Sequence, residues 1–184
     1  MHEFTDLRGR EAAFPEAEFA ARQGAARAAI AAAGHDALVV TGPETIYWLT
    51  GRQTAGYFAF QALLVPVEGD PALLVRQLEL PGAAANTWLD DIQAYPDGAD
   101  PVEALAALVR RRGLARPALE RDGWFVSPAL AGRIDAALGR GPLPDGSGLL
   151  APLRAVKSAA ELEAIRAAAR PAQAGLAAGL AACA

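Results

Sequence analysis

The sequence has few residues of the kinds that build covalent or metal sites. Among its 184 residues there is one cysteine, Cys183, and there are two histidines, His2 and His35. A lone cysteine cannot form a disulfide within the chain. Neither histidine has another ligand-type residue at the spacing that a metal site needs. The sequence therefore predicts neither a disulfide framework nor a metal centre of its own.

Long apolar runs are also missing. No segment approaches the roughly 18 uninterrupted apolar residues that a membrane helix requires. The first fourteen residues mix acids with arginines and lack the apolar core of a secretory signal. We therefore expect a cytoplasmic protein without a membrane partner.

Basic residues are scattered, and the net charge is −4. The one basic run, Arg110 to Arg112, ends an apolar helical pattern just before Gly113, which favours a helix C-terminus over an anion site. Nucleic acid is not an expected partner. The sequence also lacks the nucleophile elbow G-x-S-x-G and the phosphate-binding loops G-x-G-x-x-G and G-x-x-x-x-G-K-[ST]. The chain by itself therefore offers no recognisable catalytic motif.

Helical periods alternate with short β-type runs over most of the chain, which predicts an α/β domain. The turn-rich tetrapeptide EGDP separates two of these runs and indicates an antiparallel hairpin. The expected fold is a mixed β-sheet of about five to six strands flanked by helices. Helices are predicted over residues 15–33, 43–50, 78–87, 100–112 and 127–138, and strands over 37–41, 58–67, 72–75, 91–95 and 117–120.

Composition divides the chain into three parts. Residues 1–14 are expected to form a tail and residues 15–148 the α/β domain. The run GRGPLPDGSG, residues 139–148, has almost nothing to bury and indicates a linker or an exposed crossing at the end of this domain. Residues 149–184 then form the third part.

The third part contains the sequence pattern of a long helix. Ser158 and Glu161 match a capping box, S-x-x-E. Pro171 falls inside the helix and predicts a kink or a break, at a cost of about 3 kcal/mol. The helix carries an apolar stripe for which the remaining residues offer no partner. The stripe consists of Leu162, Ile165, Ala169, Ala172 and Leu176.

Aromatic residues are concentrated in the stretch TIYWLTGRQTAGYFAFQ, around a loop with two glycines. Such residues form one wall of a small-molecule pocket or, equally, an ordinary core. If residues 57–60 are extended, Phe58 and Phe60 share one face while Tyr57 and Ala59 share the other. Tyr57 is then the exposed member if Phe60 is in the core, and the reverse assignment stays open.

Four stretches, in this order, resemble a known family. ALVVTGPETIYWLTG, GYFAFQALLVP, PALLVRQLE and LLAPLRAVKSAAELEAIRAAA are similar to the N-terminal half of the creatinase and Xaa-Pro peptidase family, which includes prolidase and aminopeptidase P. The resemblance runs from about Phe14 over almost the whole chain. Lys157, the only lysine, lies in the R-x-x-K-S element of this family.

The resemblance implies an N-terminal α/β domain that precedes a catalytic domain of the pita-bread fold. In peptidases of this family the second domain holds two divalent metal ions, here expected to be Mn, Co or Zn, through two Asp, one His and two Glu. The resemblance places the first helix of that domain at Ser158, so we expect this chain to be a fragment without the metal ligands. Its partners would be the missing catalytic domain and a second copy in a homodimer.

The resemblance also implies a role for the loop after IYWLTG, which covers the active site and approaches the partner subunit's pocket. The candidate substrate-lining residues are Tyr57, Phe58 and Arg76. Arg76 either binds a substrate carboxylate or forms a surface ion pair with Glu79. Creatinases carry an arginine at the position of Ala59, so the implied activity is that of an Xaa-Pro dipeptidase or a related small-amide hydrolase. No catalytic residue is expected in this chain.

A second hypothesis belongs to a different class. The chain is then a stand-alone module that holds a small ligand in the aromatic loop, or that forms oligomers through its last helix. Both hypotheses predict that the 184 residues alone have no hydrolytic activity.

Overall fold

The structure is a computed structural model, and it describes residues 5–7 and 10–183. In this part of the chain a small hairpin precedes a five-stranded sheet that is flanked by helices. The strands are β1 Thr5–Leu7, β2 Arg10–Ala12, β3 Ala37–Val40, β4 Ala62–Pro66, β5 Ala72–Arg76, β6 Ile92–Tyr95 and β7 Pro117–Leu119. The helices are α1 Glu16–Ala32, α2 Pro43–Thr50, α3 Leu80–Asn86, α4 Pro101–Arg111, α5 Pro128–Leu138, α6 Ala151–Ala155 and α7 Ala159–Ala182, and a 3-10 turn at Gln77–Glu79 precedes α3.

The sheet is mixed, in the order β6-β5-β4-β3-β7. Strands β3 and β7 are parallel, as are β5 and β6, while β4 runs antiparallel to both of its neighbours. Val39 lies opposite Leu64 on one side and Leu119 on the other. This arrangement confirms the predicted mixed sheet flanked by helices. We call the sheet together with α1 to α5 the α/β body.

Both faces of the sheet are buried, and strand β3 shows how. Ala37 and Val39 contribute to the core under α4 and α5, whereas Leu38 and Val40 contribute to the core under α1, α2 and α3. Alternate side chains of a strand point to opposite faces. A strand buried on both sides is therefore apolar throughout, as in the sequence ALVV.

The strand predicted from Phe58 begins only at Ala62. The preceding residues turn instead, and the amide of Ala59 donates to the carbonyl oxygen of Gly56 over 2.9 Å. The hydroxyl group of Tyr95 donates to the carbonyl oxygen of Phe60 over 2.7 Å, in place of a ladder partner. The expectation of strand alternation at residues 57–60 is therefore wrong.

The glycine- and proline-rich run 139–148 is packed more closely than its composition suggests. The amide of Leu119 donates to the carbonyl oxygen of Pro144 over 3.0 Å, and the amide of Gly146 donates to the carbonyl oxygen of Leu119 over 2.8 Å. A Cβ on Gly146 would lie 2.3 Å from a methyl carbon of Leu38, so only glycine fits there. Leu143 is buried. The run therefore forms hydrogen bonds with the free edge of β7 and is not an exposed crossing.

The segment predicted as a tail includes the β1–β2 hairpin, and its last part is packed. Ala12 and Phe14 are buried, and the rings of Phe14 and Phe19 meet edge to face with centroids 6.2 Å apart. His2 lies outside the described residues.

The last helix begins as predicted. Both hydrogen bonds of the capping box between Ser158 and Glu161 are present. Helix α7 continues through Pro171 without a break, and every described residue after Ala167 is exposed. No helix in the described ranges has both the length and the apolarity to cross a membrane.

Candidate functional site

The topology of the sheet brings three loops to one edge. Strands β3 and β7 are parallel, so both end at this edge, and β4 begins there because it runs antiparallel to β3. Ligands of open α/β sheets bind at the carboxyl ends of the strands. The loop before β4 supplies Tyr57 and Phe58, and the loop after β7 supplies Trp124 and Phe125.

A cleft of about 700 Å³ opens beside these loops. Helix α2, the loop that follows it, and the junction of α6 and α7 form its walls. The lining residues are Pro43, Glu44, Tyr47, Trp48, Arg52, Gln53, Thr54, Tyr57, Phe125, Arg154, Lys157 and Glu161.

Aromatic rings form one wall of the cleft. The rings of Tyr57 and Phe125 meet edge to face with centroids 5.7 Å apart, and Tyr57 meets Phe58 in the same way at 6.3 Å. Tyr57 is 50% exposed and Phe58 78% exposed. Because large apolar side chains left in water mark binding surfaces when they cluster, these two predicted residues have the exposure that ligand contact requires.

A buried ion pair fixes the loop before Tyr57. The side chain of Arg52 is 2% exposed, and its guanidinium donates to Glu79 over 2.8 Å and to the carbonyl oxygen of Gln53 over 2.7 Å. Thr54 donates to the same Glu79 carboxylate over 2.7 Å. Burial lowers the pKa of Arg52, and Glu79 opposes this change. A Cβ on Gly56 would lie 2.4 Å from Glu79, so this glycine allows the close approach.

A second cluster joins α7 to the α/β body at the border of the cleft, and we call it the latch. It consists of Arg22, Glu18 and Glu161. The buried guanidinium of Arg22 donates to Glu18 over 3.0 Å, to Glu161 over 3.1 Å and to the carbonyl oxygen of Trp48 over 2.9 Å. It also lies over the ring of Phe14, 4.3 Å from the centroid. A single arginine therefore connects the first turn of α7 to α1 and to the end of α2.

The amino end of helix α2 already holds an anion. Glu120 accepts hydrogen bonds from the amides of Thr41 and Gly42 over 2.9 and 2.8 Å. Carboxylates are stabilised at helix amino ends. Arg154 donates to Thr45 over 2.8 Å on the cleft side of this helix. Arg154 and Lys157 line the cleft together with Arg52, which is paired with Glu79, and with the acids Glu44 and Glu161.

Arg76 does not line the cleft. Its guanidinium forms two hydrogen bonds to Asp97, over 2.6 and 3.1 Å, at the surface. The alternative ion pair with Glu79 is therefore wrong, because Glu79 pairs with Arg52. Of the three predicted residues only Tyr57 lines the cleft; Phe58 contacts the ring of Tyr57 but lies outside the lining, and Arg76 contacts neither.

Sequence reasoning missed Phe125 and the long-range contacts of the two buried arginines, Arg22 and Arg52. The signal for Phe125 was the tripeptide GWF after a predicted strand, but its value depends on knowing that β7 lies beside β3. Arg22 and Glu161 are 139 positions apart, and no local pattern connects them.

The described residues do not suit a pair of divalent ions. Such ions require several converging carboxylate or imidazole ligands. No group of three His, Cys, Asp or Glu side chains converges within the described part of the chain. No step of a metal-dependent reaction is therefore assigned to these residues.

The family model of the Creatinase/Prolidase N-terminal domain matches residues 22–156. The chain belongs to this family. It is 29% identical over 164 residues to the ectoine hydrolase of Halomonas elongata, an alignment that covers 83% of this chain and 41% of the relative. The chain spans about two fifths of the length of the curated relatives it matches.

Solved structures agree with this family membership. The dipeptidase PepE of Mycobacterium ulcerans superposes with a TM-score of 0.66 at 29% identity, over 84% of this chain and 40% of that one. An Xaa-Pro aminopeptidase structure from Streptococcus pyogenes superposes with a TM-score of 0.63 at 24% identity, over 76% of this chain and 100% of that one. In that second structure the whole solved chain has the fold of the matched part of this protein.

Proposed function

We propose that this chain is the accessory N-terminal domain of a metal-dependent hydrolase that acts on Xaa-Pro dipeptides or related small amides. In this proposal the domain covers the active site of a catalytic domain and takes part in a homodimer. Tyr57 and Phe58 contact substrate, in the partner subunit's pocket or beside their own. Support comes from the family match, from the hydrolase and dipeptidase names of the relatives and from the exposure of both aromatic rings.

The observation that carries the proposal is the contrast within helix α7. Its first turns are held by the latch and pack Ala160 and Ala164 against Phe14 and Phe19. Leu162, Ile165, Leu176 and Leu180 are between 39% and 67% exposed. A helix with a fixed start and an uncovered apolar stripe is suited to pack on a further domain.

Arg76 is the weakest of the three candidates for substrate contact in this proposal. Its guanidinium is committed to Asp97, so a substrate carboxylate would have to compete with a bidentate pair. We therefore assign substrate contact first to the two aromatic residues.

A domain exchange tests the accessory role. Residues 1–158 of this chain replace the corresponding N-terminal region of the Halomonas elongata relative, and the chimera is assayed on ectoine and on Xaa-Pro dipeptides with Mn²⁺ or Co²⁺. The expected result is a folded, active chimera whose KM rises in the double variant Tyr57→Ala and Phe58→Ala. The double variant Val67→Ala and Leu78→Ala, which lies away from the cleft, serves as the control.

Two results would contradict the proposal. One is turnover by the 184-residue chain alone. The other is a folded chimera with unchanged kcat and KM in the aromatic double variant, since the rings would then have no role in substrate access.

The cleft favours one further candidate, a stand-alone binding module. About 700 Å³ lined by aromatic rings and by Arg154 and Lys157 is enough for a small anionic ligand. Calorimetric titration of the isolated chain with short peptides and small carboxylates distinguishes this module from an accessory domain, which has no affinity of its own for them.

A further inference from the structure

Thr41, directly after strand β3, carries a buried hydroxyl group without a partner. The residue is 2% exposed, and its backbone amide donates to Glu120 over 2.9 Å. Its Oγ1 atom has no hydrogen-bond partner in the described part of the chain. Buried hydroxyl groups are nearly always paired, because an unpaired one destabilises the folded state. Thr41 is thus a polar group whose partner remains to be identified.

Thr41 borders a second pocket, which we call the Thr41 pocket. It has a volume of about 340 Å³ and lies next to the cleft, since Tyr57 and Phe125 line both. Gln61, which is 7% exposed, is the other buried polar residue of its lining. The remaining lining residues are aromatic or apolar, and none of the lining side chains carries a charge at neutral pH. The chemistry of the pocket is therefore that of a neutral ligand.

The backbone of Gly123 lies beside the hydroxyl group. A Cβ built on Gly123 would lie 3.8 Å from the Oγ1 atom of Thr41, which is an ordinary van der Waals distance. The rim of the pocket carries aromatic side chains that are left in water: Trp124 is fully exposed and Phe58 is 78% exposed. Exposed aromatic groups beside a pocket mark a binding site.

We propose that the Thr41 pocket binds a small neutral molecule that combines a ring with one amide or carbonyl group. The ring lies against the aromatic rim, and the polar group pairs with the hydroxyl group of Thr41. At about 30 Å³ per water-sized group, the volume admits roughly eleven non-hydrogen atoms. This site goes beyond the accessory role, since one chain forms it without a catalytic domain.

Four probes that share one aromatic ring test the ligand class. Benzamide carries a neutral amide, benzoate an anion and benzylammonium a cation, and toluene is the reference without a polar group. Their affinities for the full chain are measured at pH 7 by NMR titration, with the indole resonance of Trp124 as the reporter of location. Benzamide is expected to bind at least ten times more tightly than either charged probe and at least three times more tightly than toluene.

Two buried threonines form a matched pair of variants. Thr41→Val removes a hydroxyl group without a partner, so we expect an unchanged or higher Tm and a preference for benzamide over toluene that falls below twofold. Thr50→Val removes a hydroxyl group that donates to the carbonyl oxygen of Ile46 over 2.7 Å. That variant is expected to have a lower Tm and to keep the preference for benzamide.

A third variant changes a side chain at the surface and leaves the core unchanged. Trp124→Ala changes a fully exposed side chain, so the fold is retained while benzamide and toluene, followed here through their own NMR signals because the indole reporter is gone, are both expected to bind at least threefold more weakly.

The proposal is overturned if Thr41→Val lowers the Tm as much as Thr50→Val does, since the hydroxyl group would then have a partner. It is also overturned if benzamide binds no more tightly than toluene, or if benzylammonium is the preferred probe. Because no catalytic domain is present in these titrations, their failure is distinct from a failure of the chimera.

Discussion

The α/β body and helix α7 are built from similar local signals but differ in how they are packed. Helix α5 of the body begins at a Ser127 cap and buries Ile134 against the sheet. Helix α7 begins at a Ser158 cap of the same kind, yet its last sixteen described residues, 168–183, are all exposed. The comparison teaches that the start of a helix is decided locally, whereas its burial depends on a partner surface.

The largest expected effect comes from removing the latch that joins the two regions. Arg22→Met leaves the carbonyl oxygen of Trp48 and the carboxylate of Glu161 without the guanidinium. Breaking one partner of a fully buried pair costs about 3–5 kcal/mol. Because Glu18 and Glu161 are 22% and 13% exposed, we expect a loss of about 2 kcal/mol in the free energy of unfolding. Urea denaturation measures this loss.

The latch also makes a local prediction. Amide hydrogen exchange in the first turns of α7 is expected to accelerate in Arg22→Met beyond what the global loss explains. The control is Arg27→Met, since Arg27 lies on the same helix and makes an exposed hydrogen bond to the carbonyl oxygen of Gly69. Equal exchange in α7 for both variants would mean that Arg22 does not hold this helix.

The latch marks the limit of what could be predicted from the sequence. Glu18 and Arg22 are four residues apart on one helix, and their 3.0 Å contact has the i,i+4 spacing at which helical ion pairs form. The third member, Glu161, was visible only as part of a capping box. Its carboxylate uses one oxygen for the amide of Ser158 and the other for Arg22. The second bond depends on tertiary structure, which local periodicity does not contain.

The fold and the site differ in predictability for the same reason. Strand β3 is apolar throughout and is bounded by turns, so its burial follows from composition alone. Residues 57–61 contain aromatic and apolar side chains as well, but the hydrogen bond from Tyr95 and the turn at Gly56 prevent a strand there. The exposed rings of Tyr57 and Phe58 lie between this local turn and the long-range contact from Tyr95. The pattern therefore predicted the aromatic wall but not its conformation.

An intermediate effect sharpens the comparison of the two caps. Ser127 accepts a hydrogen bond from the amide of Leu130 over 3.2 Å, and Ser158 accepts one from the amide of Glu161 over 3.1 Å. Replacing an N-cap serine with alanine costs about 1 kcal/mol. In Ser127→Ala this cost is expected to lower the global free energy of unfolding, because α5 is part of the core.

The matching variant of α7 is expected to behave differently. Ser158→Ala should change global unfolding by less than about 0.5 kcal/mol, while exchange of the first-turn amides accelerates roughly fivefold. Denaturation together with hydrogen exchange separates the two responses. Equal global losses in the two variants would show that α7 unfolds together with the body, and the contrast drawn between the two regions would be wrong.

The smallest expected effect concerns an exposed ion pair of the body, in contrast with the buried latch. The hydrogen bond from Arg76 is the main cause that lowers the pKa of Asp97 below its ordinary value of 3.8. A carboxyl group with a lowered pKa in the folded state stabilises the protein above its unfolded pKa, and the contribution is lost as the pH falls through the folded pKa. The change of stability with pH is therefore confined to acidic conditions, below about pH 4, and the stabilisation present at neutral pH is small because the pair is exposed.

NMR titration of the Asp97 carboxyl group measures this interaction directly. In Arg76→Gln the pKa is expected to rise towards its ordinary value, while stability at pH 7 changes by less than in Arg22→Met or Ser127→Ala. Asp100 is the internal control, because the amide of Val102 is the main cause of its lowered pKa and Arg76 is not among the causes. If the pKa of Asp97 stays low in Arg76→Gln, the guanidinium is not committed to this pair. Arg76 would then be free for the substrate carboxylate that the sequence suggested.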